Sequence, residues 1–255
     1  MSEGARVGLL YPTPNAGEDD FLDLAGQLEP ALDVEVVYVP WPDDVDDLAA
    51  LTLAQVIDAL RRLGSVAHLE RVLPEALAGR DVDVVAFAVT SASFLDGAAG
   101  VEEQLRTLAR ISGRPATSTT AAYQQAIHHL GLRKVALASV YDADVSDHFV
   151  ERVREAGAEI VRRIDAAAGS DRALAAWPPD RIVDLVQRSA DPAAEAVLLP
   201  ETALHACHLT GELERAAGGP VLTATQVTLW SAARLLNVPA VSPTAGPLFA
   251  PNGTE

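Results

Sequence analysis

The chain has 255 residues, of which 49% are hydrophobic and 22% charged, a composition typical of a folded globular protein rather than a disordered one. Its formal net charge of −17 argues against nucleic acid or an anionic membrane as a partner, because both bind through clustered Lys and Arg. A lone cysteine, Cys207, excludes an internal disulfide, and no apolar run reaches about 18 residues. We therefore expect a cytoplasmic protein.

Short β-branched runs alternate with longer segments of helical period, which predicts an α/β chain of parallel strands joined by crossover helices. Most of the runs are continuously apolar, as strands covered on both faces are. In chain order, strands are predicted at Arg6–Tyr11, Val34–Val39, Val82–Val89, Pro115–Ser118, Lys134–Val140, Glu159–Ile164, Ala194–Leu199 and Pro220–Ala224.

Weak internal repetition predicts two similar halves. The segment from Val7 matches that from Val135 at an offset of 128, and Gly113 to Pro115 matches Gly218 to Pro220 at an offset of 105. We expect residues 1–115 plus 226–255 to form one half and residues 116–225 the other. In parallel sheets ligands bind at the carboxyl ends of the strands, so a cleft between the halves is the expected site.

Polar residues follow four of the predicted strands. They are Pro12 to Asn15 after the first, Thr90 to Ser93 after the third, Tyr141 after the fifth, and Glu201 with Thr202 after the seventh. Hydroxyl groups next to the free N–H groups of a helix start suit a carboxylate ligand. Simple helix capping is the alternative explanation for the Thr and Ser residues.

Four segments together resemble one known group of enzymes. They are Val7 to Asn15 with Glu18, Val89 to Phe94, Arg133 to Tyr141, and Ala196 to Glu201. From Val7 to about Phe249 the chain resembles maleate cis-trans isomerases and arylmalonate decarboxylases of the aspartate/glutamate racemase superfamily. The resemblance implies two flavodoxin-like halves related by a pseudo-twofold axis, no cofactor, and a small carboxylate substrate bound in the cleft of a small homo-oligomer.

Site residues follow from the same resemblance. Thr90, Ser91 and Tyr141 are expected to hold a substrate carboxylate, and Asn15 to make a further carboxylate contact. Thr202, beside Glu201 at a strand end, is predicted to bind substrate as well.

The chain departs from this family at two positions, where the resemblance expects cysteine and the sequence has Val89 and Glu201. Val89 cannot accept a proton and neither residue offers a thiolate, which disfavours two-base racemisation and thiolate-driven isomerisation. Cys207 lies six residues beyond Glu201 and is expected to serve packing. Glu201 is the predicted catalytic residue, its pKa raised by apolar neighbours; a solvated first-turn glutamate is the alternative.

Three functions remain open. The first is a malonate-type decarboxylase in which Glu201 protonates an enediolate. The second is a maleate isomerase-like enzyme, or a tautomerase or hydratase, that uses Glu201 as a base. The third is an inactive relative that only binds a carboxylate. His205 and His208 share a predicted helix face, but no third ligand is suggested nearby, so no metal site is predicted.

Overall fold

The computed structural model describes residues 5–45 and 48–251. Its eight strands form two parallel four-stranded sheets. The strands are β1 (Arg6–Tyr11), β2 (Asp33–Tyr38), β3 (Val84–Phe87), β4 (Ala116–Ser118), β5 (Lys134–Ser139), β6 (Glu159–Asp165), β7 (Ala196–Leu199) and β8 (Val221–Thr223). All eight predicted strands are confirmed, with ends that move by a few residues.

Both sheets have the same strand order, β2-β1-β3-β4 in the first and β6-β5-β7-β8 in the second. In the first sheet Val7 pairs with Val34 on one side and Val84 on the other. In the second, Val135 pairs in the same way with Ile160 and Ala196. This equivalence confirms the prediction of two similar parallel-sheet halves, and it turns both sets of strand ends toward the cleft.

Helices surround both sheets. They are α1 (Glu18–Gly26), α2 (Leu53–Gly64), α3 (Val66–Ala76), α4 (Thr90–Phe94), α5 (Gly97–Ser112), α6 (Thr119–Leu130), α7 (Ala143–Glu155), α8 (Asp171–Ala175), α9 (Pro179–Ser189), α10 (Thr210–Ala217) and α11 (Ala224–Leu235). Short 3₁₀ helices lie at Leu48–Ala50, Cys207–Leu209 and Pro247–Phe249. Within the described ranges, none of the helices is long and apolar enough to cross a membrane.

The last helix of each repeat packs across the boundary between the halves. Helix α11 lies against β3, β4 and α1 of the first half. On helix α6, the Tyr123 hydroxyl lies within hydrogen-bonding distance of the carbonyls of Leu199 and Leu222 in the second sheet, at 2.8 and 3.0 Å. The strand β4 pairs with β3, so residues 116–118 belong to the first sheet and not to the second half. We propose that the halves divide after Ser118; the rest of the expected division remains a proposal.

Candidate active site

A cavity of about 420 Å³ opens at the carboxyl ends of the strands, between the two halves. The first half contributes Tyr11 from the end of β1 and Thr90 from the start of α4. The second contributes Tyr141 after β5 and Glu201 after β7. Both halves are therefore needed to form this site, as expected for ligands bound at strand ends.

Five of the six predicted site residues line this cavity: Thr90, Ser91, Tyr141, Glu201 and Thr202. They come from segments as far apart as residues 90 and 202 in the sequence, and the fold brings them together.

Asn15 does not line the cavity. It is exposed and adopts a left-handed backbone conformation, with φ of 59°. Its N–H donates to Oε1 of Glu18 at 2.6 Å, and the residue borders a separate surface depression that also contains Tyr38 and Arg172. The turn before α1 therefore directs Asn15 away from the other site residues, and this arrangement does not support its expected contact with substrate.

Glu201 is buried and directly follows Pro200 at the end of β7. The N–H of Ala203 donates to its Oε1 at 2.8 Å, which holds the carboxyl at the cavity wall. Burial raises the pKa of Glu201 from 4.5 to about 7; the N–H of Ala203, which donates to the carboxylate, and the neighbouring Tyr141 hydroxyl lower it, and the charge of Asp171 raises it further. Because its side chain is buried, Glu201 is not the solvated first-turn glutamate of the alternative explanation.

Three tyrosines surround the Glu201 carboxyl. The Tyr141 hydroxyl donates to the carbonyl of Pro200 at 2.7 Å, and the Tyr11 hydroxyl lies 3.1 Å from the carbonyl of Thr202. Burial, followed by the charge of Glu201, raises the pKa of Tyr11, Tyr123 and Tyr141 well above 10. All three therefore remain neutral hydroxyl groups over the physiological pH range.

The opposite wall is the start of α4. Val89 precedes this helix in an extended conformation, so Thr90 and Ser91 occupy its first turn. Oγ1 of Thr90 is buried and has no hydrogen-bond partner within residues 5–45 and 48–251, an arrangement that a polar ligand would satisfy. Ser93 faces inward instead, bonding the Thr90 carbonyl at 2.7 Å and lying 2.6 Å from Oγ1 of Thr120, so it supports the turn.

Sequence reasoning pointed to the segment from Pro12 to Asn15 as a whole, but it did not single out Thr13 and it missed Asp171, which lies in another loop beside the cavity. Asp171, at the start of α8, accepts a hydrogen bond from the Thr13 hydroxyl, and Trp41 Nε1 donates to Oγ1 of Thr13 at 3.0 Å. Asp171 and Trp41 line the cavity, and Thr13 is buried next to Pro12, which also lines it. No periodicity marks these loops; the only sequence signal at Asp171 is its place after the helix-capping Ser170.

One further wall of the cavity is apolar. It is formed mainly by the segment after β2 and by α2, with contributions from β5 and α8: Leu48, Leu51, Leu53, Val56, Leu60, Val140 and Leu174. In the described parts of the chain, no Lys, Arg or His lines this cavity. The site therefore has one polar side, formed by hydroxyl and carboxyl groups, facing one apolar side.

Cys207 lies outside the cavity. It is buried, with Sγ 3.8 Å from Nε2 of Gln27, and burial together with the Asp20 carboxylate raises the pKa of its thiol well above the ordinary value. Its ligating atom lies within 4.8 Å of those of Asp23 and His208, and no other such group of three ligands occurs in residues 5–45 and 48–251. Nε2 of His208 is bonded to Asp23 at 3.0 Å. None of the three lines the Glu201 cavity.

Comparison with known proteins agrees with the resemblance seen in the sequence. A sequence model of the family described as arylmalonate decarboxylase matches residues 44–249. The chain belongs to this family. Arylmalonate decarboxylase of Bordetella bronchiseptica is 29% identical over 167 residues, which are 60% of this chain and 64% of that protein. The match thus spans somewhat less than two thirds of the decarboxylase.

Maleate isomerase of Geobacillus stearothermophilus is 24% identical over 173 residues, 66% of this chain and 69% of that protein.

Solved structures match nearly the whole chain. A variant of arylmalonate decarboxylase in its liganded form has a TM-score of 0.75 at 26% identity, covering 96% of this chain and 98% of that one. A maleate isomerase variant from Pseudomonas putida S16 with maleate has a TM-score of 0.83 at 19% identity, covering 97% and 98%; at this identity it shows the fold alone. These relatives are enzymes, which agrees with the predicted decarboxylase- or isomerase-like enzyme.

Proposed function

We propose that this protein is a cofactor-independent decarboxylase of a malonate-type acid with an apolar substituent, in which Glu201 donates a proton to the product carbon. The observation that supports it best is the buried Glu201, whose pKa of about 7 leaves a proton available next to the cavity at neutral pH. By the resemblance, Glu201 stands where the family has a cysteine. The family's decarboxylase activity supports the same reaction class.

In this mechanism the retained carboxylate of the substrate binds the Thr90 and Ser91 hydroxyls, with Tyr141 beside it. The bond to the second carboxyl group breaks, carbon dioxide leaves, and the electron pair stays on the substrate as an enediolate. Hydrogen-bond donors at the retained carboxylate stabilise this charge. The protonated Glu201 then gives its proton to the α-carbon, becomes a carboxylate, and takes up a new proton from water.

The walls of the cavity favour decarboxylation over isomerisation of a small dicarboxylate. The apolar wall including Leu48, Leu53 and Val56 suits an apolar substituent. With no cation among the described lining residues, a second carboxylate receives no ionic partner. Such surroundings are unfavourable for a second carboxylate that stays bound through the reaction. In a decarboxylation this carboxylate leaves as neutral carbon dioxide, so its charge does not remain in the apolar surroundings.

Proton NMR in D₂O on a panel of substituted malonates and maleate tests the proposal, with wild-type protein and Glu201→Gln side by side. We expect wild-type protein to form the monoacid with one deuterium at the α-carbon, and Glu201→Gln to lose this turnover by a factor of about 100 or more. Glu195→Gln, the same substitution at an exposed glutamate that does not line the cavity, is the matched control and should retain the activity.

The other two functions are distinguished by the same spectra. Deuterium uptake or isomerisation without loss of carbon dioxide would identify Glu201 as a base acting on an unsaturated acid or its tautomer. Binding without turnover, at an affinity that Glu201→Gln leaves unchanged, would identify an inactive carboxylate-binding relative. The cytoplasmic location, the homo-oligomer and the absence of nucleic-acid and membrane partners remain predictions.

A further inference from the structure

Asp171, like Asp142, adds an acidic side chain to a cavity proposed to bind an acid, and unlike Asp142 it is hydrogen-bonded to Thr13 of the other half. It begins α8, which follows the loop after β6 in the second half. Its Oδ2 accepts the Thr13 hydroxyl proton from the first half, and its Oδ1 accepts the N–H of Arg172 at 2.7 Å. Both oxygens of the carboxylate are therefore held in place.

The direction of this hydrogen-bond chain is fixed by its members. An indole N–H can only donate, so Trp41 donates to Thr13, and the single hydroxyl proton of Thr13 is left for Asp171. Trp41 follows β2, Thr13 follows β1, and Asp171 follows β6, so the chain joins both halves across the cavity mouth. Asp171 is thus fixed at the cavity by contacts from the opposite half.

Asp171 places a negative charge in the same cavity as Glu201, where it adds to burial, the main cause of the raised Glu201 pKa, and opposes the effect of the Ala203 N–H and the Tyr141 hydroxyl. The titratable side chains near Glu201 are Asp171, the neutral Tyr11, Tyr123 and Tyr141, and Asp142, which lines the same cavity. No Lys, Arg or His lines the described part of the cavity. A fixed negative charge in such surroundings disfavours the appearance of a second one on Glu201.

We propose that Asp171 is a positioning residue of this site: held across the cavity mouth by Thr13 and Trp41, its carboxylate keeps Glu201 protonated and ready to donate. This role rests on the proposed function of Glu201 as a proton donor. This role explains why an acidic group lies in the cavity. The negative charge of Asp171 weakens binding of an acid, but it also favours the protonated form of Glu201, the residue that protonates the product.

The test follows the Glu201 carboxyl directly, by ¹³C NMR of full-length protein labelled at the glutamate side-chain carboxyl carbon. The Glu201 signal is identified by its absence from Glu201→Gln. We expect Asp171→Asn, which keeps the side-chain shape and one of the two acceptor oxygens, to lower the midpoint of the Glu201 titration by about half a pH unit or more. Thr13→Val, which leaves the charge but removes the tether, should lower it by less.

Asp142→Asn is the matched control, because Asp142 lines the same cavity without a hydrogen bond to Thr13. Its midpoint should stay near the wild-type value. An unchanged midpoint in Asp171→Asn, or an equal shift in Asp142→Asn, would overturn the role of Asp171. If Asp171→Asn lowers the Glu201 midpoint as expected but the wild-type protein turns over no acid, the proposed function is refuted while the effect of Asp171 stands. The two failures are therefore distinguishable.

Discussion

Replacing Glu201 by Gln should stabilise the folded protein above neutral pH, even though it removes the proposed proton donor. The folded-state pKa of Glu201 is about 7, against 4.5 for an ordinary glutamate. Between these two values the folded protein retains a proton that the unfolded chain releases, so the stability conferred by this group is present below about pH 4.5 and is lost as the pH rises through 7. Gln is neutral throughout and has the same shape.

The size of the effect follows from the shift. One unit of pKa corresponds to about 1.4 kcal/mol, so ionising Glu201 in its buried site costs roughly 3 kcal/mol in full. The free energy of unfolding of Glu201→Gln, relative to that of the wild type, should therefore rise by about 2.5 kcal/mol from pH 5 to pH 8. Because a chain of this length shifts its midpoint by roughly 2–4 °C per kcal/mol, the difference is also measurable by thermal unfolding.

Urea unfolding of both proteins near pH 5 and near pH 8 measures this change. Glu195→Gln is the control, because the N–H groups of Arg133 and Lys134 lower the pKa of this exposed glutamate. Stability from Glu195 is present above the unfolded pKa of about 4.5 and is lost only as the pH falls below it, so Glu195→Gln should be destabilised by nearly the same amount at pH 5 and at pH 8. A Glu201→Gln difference that is the same at both pH values would refute the argument that Glu201 is buried with a raised pKa.

Three further predictions concern how the Glu201 segment is held. Gly17→Ala should destabilise the fold by about 1–3 kcal/mol in urea unfolding and reduce turnover, because φ is 109° and a Cβ would lie 2.8 Å from the Ala203 Cα. Thr225→Val should cost about 1–3 kcal/mol in the same assay, since it removes a hydrogen bond to the buried Asp20, which also accepts the N–H of Cys207. Cys207→Ser should retain turnover, and in the wild type this buried thiol should react with a thiol reagent only on unfolding.

Much of the fold could be predicted because its parallel strands are buried on both faces. Such strands appear as continuous apolar runs, and those of β1, β3 and β7 have every or nearly every residue buried. The offset between Val7 and Val135 was informative because these residues occupy equivalent places in β1 and β5. A strand only three residues long, β4, carries too little pattern to show which sheet it joins; it pairs with β3 of the first sheet, whereas the expected division assigned its residues to the second half.

The place of a site residue could be predicted where the residue directly follows a strand. It could not be predicted where the conformation of a loop determines whether the residue reaches the cavity. Thr90 and Glu201 lie at strand ends, so topology alone brings them to the cleft. Asn15 lies four residues beyond β1, in a turn where both Asn15 and Gly17 have a left-handed backbone conformation, and no local sequence pattern specifies where such a turn places its side chains. The Thr13 and Asp171 contact joins residues 158 positions apart through two irregular loops, and no local sequence pattern specifies such a pair.

The proton affinity of Glu201 is a property of the assembled cleft and not of the β7 segment alone. Tyr11 from the first half bonds the carbonyl of Thr202, and Gly17 of the same half lies against the backbone of Ala203. Tyr123 on α6, the helix that crosses the boundary, bonds the carbonyl of Leu199. These contacts exclude water from Glu201 only while the halves are packed together, so a change that loosens the cleft should lower its pKa before it unfolds either sheet.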